Sequence, residues 1–329
     1  MQVYLIGIDV DSVHLVCQRR RPGKRDTMKT FNNTPAGFRS FIKWATQRGQ
    51  TARVGMEATG VYSLPFALAL HSAEDIEVAV INPRAIKKFA DANLQRGKTD
   101  AMDARCIAEY VERMPFKPWQ PAAAEILELQ YITRRVVQLT HELTRERNRH
   151  LAAKRMGRIG RVVVHDTTVN MRHLQRRIDT MEQEALGLIE SIPELQAQMQ
   201  LITSVKGIAQ KTGARILAEL SALPGDMKAN QWVAYAGLDP RPYESGTSTN
   251  KPRRITRAGN RYLREALFFP ALVASQKDEH VSAYYQKMIA AGKKPMQVIV
   301  AIMRKLLLAI WGMLHTGTKW DGNKFYKMT

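Results

Sequence analysis

Lys98-Thr99-Asp100-Ala101-Met102-Asp103-Ala104-Arg105 sets two carboxylates three residues apart, in what reads as the first turn of a helix. Side chains at i and i+3 share a helix face, so both can aim at one point. Two more acids stand at the ends of apolar runs. Asp9 closes Val3-Tyr4-Leu5-Ile6-Gly7-Ile8, and Glu57 closes Ala52-Arg53-Val54-Gly55-Met56. A carboxylate at the end of a buried strand is held rigidly and reaches into a crevice. Two acids on strands and two on a helix predict an oxygen-rich pocket for a hard divalent cation, Mg²⁺ or Mn²⁺. Asp11 ranks behind Asp9, because it has already left the apolar run.

The surrounding elements follow from periodicity. Val3–Val10, His14–Arg19 and Thr27–Phe31 read as three strands, with a turn at Arg20–Lys24 between the second and third. Pro35–Gln47 is a helix, Arg53–Ala58 a fourth strand and Tyr62–Leu70 a helix. Ile76–Asn82 has the unbroken Val/Ile content of a strand buried on both faces. Helices at Ala85–Ala92 and Thr99–Arg113 complete an α/β domain with a mixed sheet. The prolines of Met114-Pro115-Phe116-Lys117-Pro118-Trp119-Gln120-Pro121 mark a boundary, so residues 1–120 form the first domain.

Beyond it, Leu129, Ile132, Val136, Leu139 and Leu143 alternate spacings of three and four. After a break at Gly157–Gly160 the same spacing returns in Met171, Leu174, Ile178, Met181, Ala185 and Leu188. These seams predict two coiled-coil helices over 121–190, packed within one chain or between chains. Residues 191–329 read as a third, mainly helical domain. Leu201–Leu220 has the shape of a helix-hairpin-helix around Lys206-Gly207-Ile208-Ala209, although Ala209 stands where that motif usually has a second glycine. An ordinary turn between helices fits equally well. Asn260–Ser275, Ser282–Ala290 and Met296–Leu314 supply core helices. Arg304 and Lys305 interrupt the apolar run Pro295–Leu314, making it costly in a membrane, and no membrane partner is expected.

The 329 residues carry 50 Lys+Arg against 30 Asp+Glu, a net charge of +20. That excess points to nucleic acid more than to anionic lipid. Residues 1–120 hold 18 basic and 12 acidic groups, leaving 32 and 18 for the remainder, which therefore carries most of the polyanion grip. Arg134, Arg135, Arg145, Arg147, Arg149, Lys154 and Arg155 line the coiled coil, where cations outnumber acids twelve to three between Arg134 and Arg177. Lys206 and Lys211 flank the hairpin turn, and Lys251, Arg253, Arg254, Arg257 and Arg261 follow without an intervening acid. Before them lies Arg241-Pro242-Tyr243-Glu244-Ser245-Gly246-Thr247-Ser248, a loop where a phosphodiester fits. Ser245 is a nucleophile candidate there; Tyr243, Thr247 and Ser248 compete, and the plainer reading of Ser245 is a turn residue. No histidine lies near in sequence, so no Ser/His/Asp triad is visible. Cys17 and Cys106 form no CxxC pair, which argues against zinc or a disulfide framework and for reduced thiols in the cytosol. The chain runs straight into a strand, so no signal peptide is expected.

Gly7-Ile8-Asp9, Met56-Glu57-Ala58-Thr59-Gly60, Ile81-Asn82-Pro83, Lys98–Arg105 and Tyr243-Glu244-Ser245-Gly246, in this order, resemble the DEDD insertion-sequence transposases. This is insertion-sequence family one-hundred-and-ten, which includes the Piv-type invertases and the bridge-RNA-guided recombinases. The resemblance implies a RuvC-like (RNase H-like) first domain, with Asp9, Glu57, Asp100 and Asp103 as its metal-binding tetrad. It implies a transposase domain that supplies Ser245 as nucleophile, forming a 5′-phosphoserine link to DNA. It further implies a structured noncoding bridge RNA pairing with donor and target double-stranded DNA. A tetramer is implied too, with active sites shared between protomers of a bacterial, nucleoid-associated protein. Two other functions compete: a junction-resolvase-like nuclease hydrolysing DNA with water, and a non-catalytic RNA-binding protein.

Overall fold

The computed structural model describes residues 3–21, 23–47, 49–58, 60, 62–94, 97, 99–241, 244–245, 249–250 and 254–328; the side chains of 24, 241, 244–245, 249–250 and 254 lie outside that description. The chain divides into two compact units, Met1–Pro121 and Ala122–Thr329.

The first unit is built on β1 (Tyr4–Val10), β2 (His14–Arg21), β3 (Lys24–Asn32), β4 (Ala52–Glu57) and β5 (Ile76–Ile81). They form one sheet in the order β3-β2-β1-β4-β5. The first three strands are an antiparallel meander, and β4 and β5 add in parallel to β1. Four helices cover the sheet: α1 (Pro35–Ala45), α2 (Leu64–His71), α3 (Pro83–Ala92) and α4 (Asp100–Arg113). Each start of α1, α3 and α4 is written locally. Thr34, Asn82 and Thr99 accept hydrogen bonds from backbone N–H groups of their own first turns.

Period-two alternation gives the sheet two apolar faces. Ile6, Ile8, Val54 and Met56 pack with Phe38, Phe41, Phe66 and Leu70 on one side. Leu5, Ala79 and Ile81 pack with Ile86, Cys106, Ile107 and Val111 on the other. On this second side the sheet meets α4 through glycines. A β-carbon at Gly7 would collide with the backbone of Ala104 and Ala108, and one at Gly55 with the Val111 side chain. Gly7→Ala therefore forces α4 away from the sheet. Its expected cost is about 1–3 kcal/mol of stability, read as a lower urea midpoint for the first unit.

Among its described residues, the second unit is helical apart from four two-residue strands. α5 (Ala124–Arg155) and α6 (Arg161–Ser191) form a long hairpin. α7 (Pro193–Thr203), α8 (Gln210–Ser221) and α9 (Ala229–Ala236) follow. Short strands β6 (Pro240–Arg241), β7 (Glu244–Ser245), β8 (Thr249–Asn250) and β9 (Arg254–Ile255) lead into α10 (Arg261–Lys277), α11 (Glu279–Ala290), α12 (Pro295–Thr316) and α13 (Gly322–Phe325). The heptad seams meet each other within the chain: Val136, Leu139 and Leu143 of α5 bury against Leu174 and Ile178 of α6. At the hairpin base Leu129, Ala185 and Ile189 join the larger core with α7–α13. α12 is long and apolar enough to cross a membrane by length and composition alone. Its Val298, Ile302, Leu306 and Ile310 instead fill this core.

α7 and α8 are joined by a short turn over 204–209, and its glycine serves packing. Gly207 holds φ at +102° and lies against the Pro270 carbonyl of α10, where a β-carbon would sit 3.0 Å away.

Candidate active site

Register places the strand acids together. Gly7 pairs with Gly55 and Ile8 with Met56 across the parallel β1–β4 ladder. One residue further, Asp9 stands beside Glu57, one strand spacing of about 4.8 Å away. Both share the face of Gly7 and Gly55, which is the face under α4. The direction of α4 is fixed at its other end. Arg20, opposite Leu5 on the β1–β2 ladder, reaches Glu109 at 3.7 Å and Glu112 at 3.0 Å. So α4 runs antiparallel to β1 and presents its first turn, with Asp100 and Asp103, at the strand end that carries Asp9. Asp9, Glu57 and Asp103 are half-buried and Asp100 is exposed. The backbone thus brings all four acids to one edge of one face. Their side chains are not gathered into a cage: among the described residues, no three of His, Cys, Asp and Glu form a group that could hold a metal ion.

Asp11 has a different task. Its carboxylate accepts from the backbone N–H groups of Val13 and His14 and shapes the β1–β2 turn. Those bonds, His14 first, hold its carboxyl below the usual range. Neither cysteine is poised for chemistry. Both are buried, and burial, followed by Glu109 and Asp103, pushes the Cys106 thiol up to about 11.

In the second unit, Ser245 lies on β7, between α9 and α10 in the chain order, in one of two short antiparallel strand pairs. Pro240 pairs with Ile255 and Arg241 with Arg254 in one pair; Glu244 pairs with Asn250 and Ser245 with Thr249 in the other. Lys98, Thr59, Tyr243, Gly246, Thr247, Ser248, Lys251 and Arg253 lie outside the described residues, as do the side chains of Ser245 and Arg254.

Residues 6–153 match a family model described as transposase, of the DEDD type of IS110, and residues 199–286 match the model of the transposase IS116/IS110/IS902 family. The chain belongs to the IS110 family of transposases. Among its relatives is the pilin gene-inverting protein of Moraxella bovis, 29% identical over 299 residues that cover 89% of this chain and 90% of the relative. The equivalent protein of Moraxella lacunata matches to the same extent. An uncharacterised protein of insertion element IS110 from Streptomyces coelicolor is 30% identical over 149 residues, 45% of this chain and 35% of the relative. The chain is therefore a DNA recombinase/transposase of a mobile element.

The basic residues of this IS110 transposase differ in how much charge they leave for a polyanion. Arg145, Arg147, Lys154, Arg155 and Lys206 are exposed. Arg149 is bonded to the buried Glu146 at 2.9 Å, Arg135 lies 3.6 Å from Glu142, and Lys211 pairs with Glu182. Arg257 is exposed and holds φ at +52°. Arg261 lies over the Tyr262 ring and donates to its hydroxyl. Arg134 departs from the expected phosphate-contacting role. It grips Glu219 with two bonds, Nε to Oε1 at 2.7 Å and Nη2 to Oε2 at 2.9 Å, so its charge is matched inside the fold.

Proposed function

We propose that this transposase is a RuvC-like recombinase that cuts and rejoins DNA through a covalent 5′-phosphoserine at Ser245. The observation carrying this reading is the register that sets Asp9 beside Glu57 under the first turn of α4. The strand order, an antiparallel meander extended by two parallel strands, supports the RNase H-like assignment. Asp9, Glu57, Asp100 and Asp103 are an all-oxygen, partly sheltered donor set, which fits Mg²⁺, with Mn²⁺ as an equivalent hard ion. Bound there, the ion supplies positive charge against a phosphate and lowers the barrier to attack on it.

The chain's own step is a transesterification. The Ser245 hydroxyl oxygen bonds to phosphorus, its proton passes to solvent, and the bond from phosphorus to the 3′ oxygen breaks. That oxygen leaves as a protonated 3′-OH. Reversal by a 3′-OH from another strand releases Ser245 and completes the exchange. The numbers of phosphoester bonds before and after are equal, so no ATP is consumed.

Several finer parts of this reading rest on the family resemblance. The first domain over 1–120 carries the acids, the coiled coil over 121–190 and the transposase domain over 191–329 carry the nucleic-acid grip, and four copies assemble. Exposed Arg145, Arg147, Lys154, Arg155 and Lys206 hold phosphates, while a bridge RNA reads donor and target. The low aromatic content, 7%, suits backbone contacts better than base stacking. The test is to purify the protein from cells carrying the gene with its own flanking DNA and to sequence the RNA bound to it. A flank-encoded structured RNA with loops complementary to the element ends is the expected result. Recombination in a strain where that flank is deleted would remove the guidance.

A further inference from the structure

We infer that Glu219 is the positioning residue of the serine ribbon, holding through Asn260 the base on which Ser245 is carried. This rests on the reading of Ser245 as nucleophile.

Glu219 is an acid buried to 1% exposure on α8, in a stretch otherwise made of Ala, Ile and Leu around Arg215. A lone carboxylate there is costly unless every lone pair is used. Its three partners come from two other places in the chain. Arg134 and Gln130 of α5 bind it from one side, with Gln130 Nε2 at 3.2 Å. Asn260 Nδ2 donates to Oε2 at 2.5 Å, and also to the Tyr235 hydroxyl at 2.7 Å.

Asn260 is where the ribbon ends. Its Oδ1 caps α10 by accepting from the N–H groups of Tyr262 and Leu263. Its own backbone N–H donates to the Tyr235 carbonyl. From that rung a ladder climbs without a break: Arg257 N–H to Gly237 O at 3.2 Å, then Thr256 N–H to Asp239 O at 3.1 Å. The Thr256 hydroxyl bonds the Asp239 carboxylate at 2.7 Å, and the β6–β9 pair follows. Glycine is required at the base because a β-carbon on Gly259 would collide with the Tyr235 carbonyl. The segment that leads from α9 to α10 past Ser245 is therefore tied at its α10 end by an asparagine whose amide is oriented by Glu219. Misplacing a reacting atom by about 1 Å costs about 10²-fold in rate.

The experiment uses the full-length protein and the variants Glu219→Gln, Asn260→Asp and their double. Glu219→Gln keeps one acceptor oxygen but sets its new NH2 against a donor of Arg134 or of Asn260, and Asn260→Asp sets two carboxylates against each other. The double exchanges donor and acceptor and restores the bond. Two readouts are taken. Hydrogen exchange on the free protein is followed over 237–258 and over the α8 and α10 cores. Covalent protein–DNA adducts are counted in cells carrying a plasmid with the gene and its own flanks, and binding to a random-sequence DNA duplex is the control. Each single variant is expected to speed exchange over 237–258 and lower adduct yield about 10²-fold, with duplex binding unchanged. The double is expected to recover most of both. Tyr235→Phe, a milder change at the same rung, covers the case in which Glu219→Gln fails to fold, and it is expected to loosen the same segment. Unchanged exchange over 237–258 in Glu219→Gln, or in Tyr235→Phe if the former is unfolded, overturns the inference. So does a double variant no better than the singles. A Ser245→Ala protein that still forms adducts would remove the nucleophile reading instead, and the exchange data, taken without DNA, would still decide the anchor.

Discussion

Ser245→Ala is expected to abolish the covalent protein–DNA adduct and with it strand exchange, a loss on the order of 10⁶-fold in rate, as when the attacking atom of a covalent mechanism is removed. The change deletes one oxygen. Ala accepts the extended backbone that pairs residue 245 with Thr249, so the ribbon keeps its ladder. Binding to duplex DNA should stay at the wild-type level, since the exposed cations of α5 and the α7–α8 turn are untouched. Trapped complexes on denaturing gels, from cells carrying the element on a plasmid, measure the adduct directly. Exchange that continues in the variant would remove serine catalysis. Cleavage that continues without an adduct would instead favour hydrolysis by water, with the ribbon serving only to bind.

The acids of the first unit and the serine of the second differed in how far sequence could take them. Asp9 and Glu57 end strands because they end apolar runs, and that much was visible in the order of residues. Their shared face was not. It follows from Gly7 and Gly55, whose missing side chains admit α4, and close approach leaves no periodic mark. The heptads of α5 and α6 were equally plain, whereas their pairing within one chain depends on the connection from Met156 to Gly160 being too short for anything but antiparallel neighbours. Around Ser245 the strands are two residues each, too short to leave a period-two signal, so the sequence there reads as a loop. Glu219 gave one signal, an acid alone among apolar neighbours. Its partners lie 41, 85 and 89 residues away, beyond any local pattern. For the same reason Arg134 looked like one more phosphate contact on a basic helix.

Asp9→Asn and Asp100→Asn are each expected to reduce DNA cleavage about 10³-fold, the rate equivalent of losing roughly 4 kcal/mol of metal-borne charge stabilisation. Asn keeps the shape and one acceptor oxygen but not the charge that a hard cation requires. The present geometry adds a sharper condition. Among the described residues no three acids form a ready ligand group, although four share one sheet edge. Mg²⁺ commonly binds through one or two carboxylates and completes its shell with water and substrate phosphate oxygens. Retention of the ion should therefore depend on DNA. Mg²⁺ alone should raise the melting temperature of the free protein little, because weak binding stabilises little. With a DNA duplex present the same concentration should stabilise the wild type further, and this increment should vanish in Asp9→Asn. Chelation should stop cleavage, and restored Mg²⁺ or Mn²⁺ should recover it in the wild type only. The neutral variants should bind duplex at least as well as the wild type, since each removes a negative charge from the phosphate's path. Cleavage that survives both chelation and the two substitutions would leave the four acids without a catalytic role.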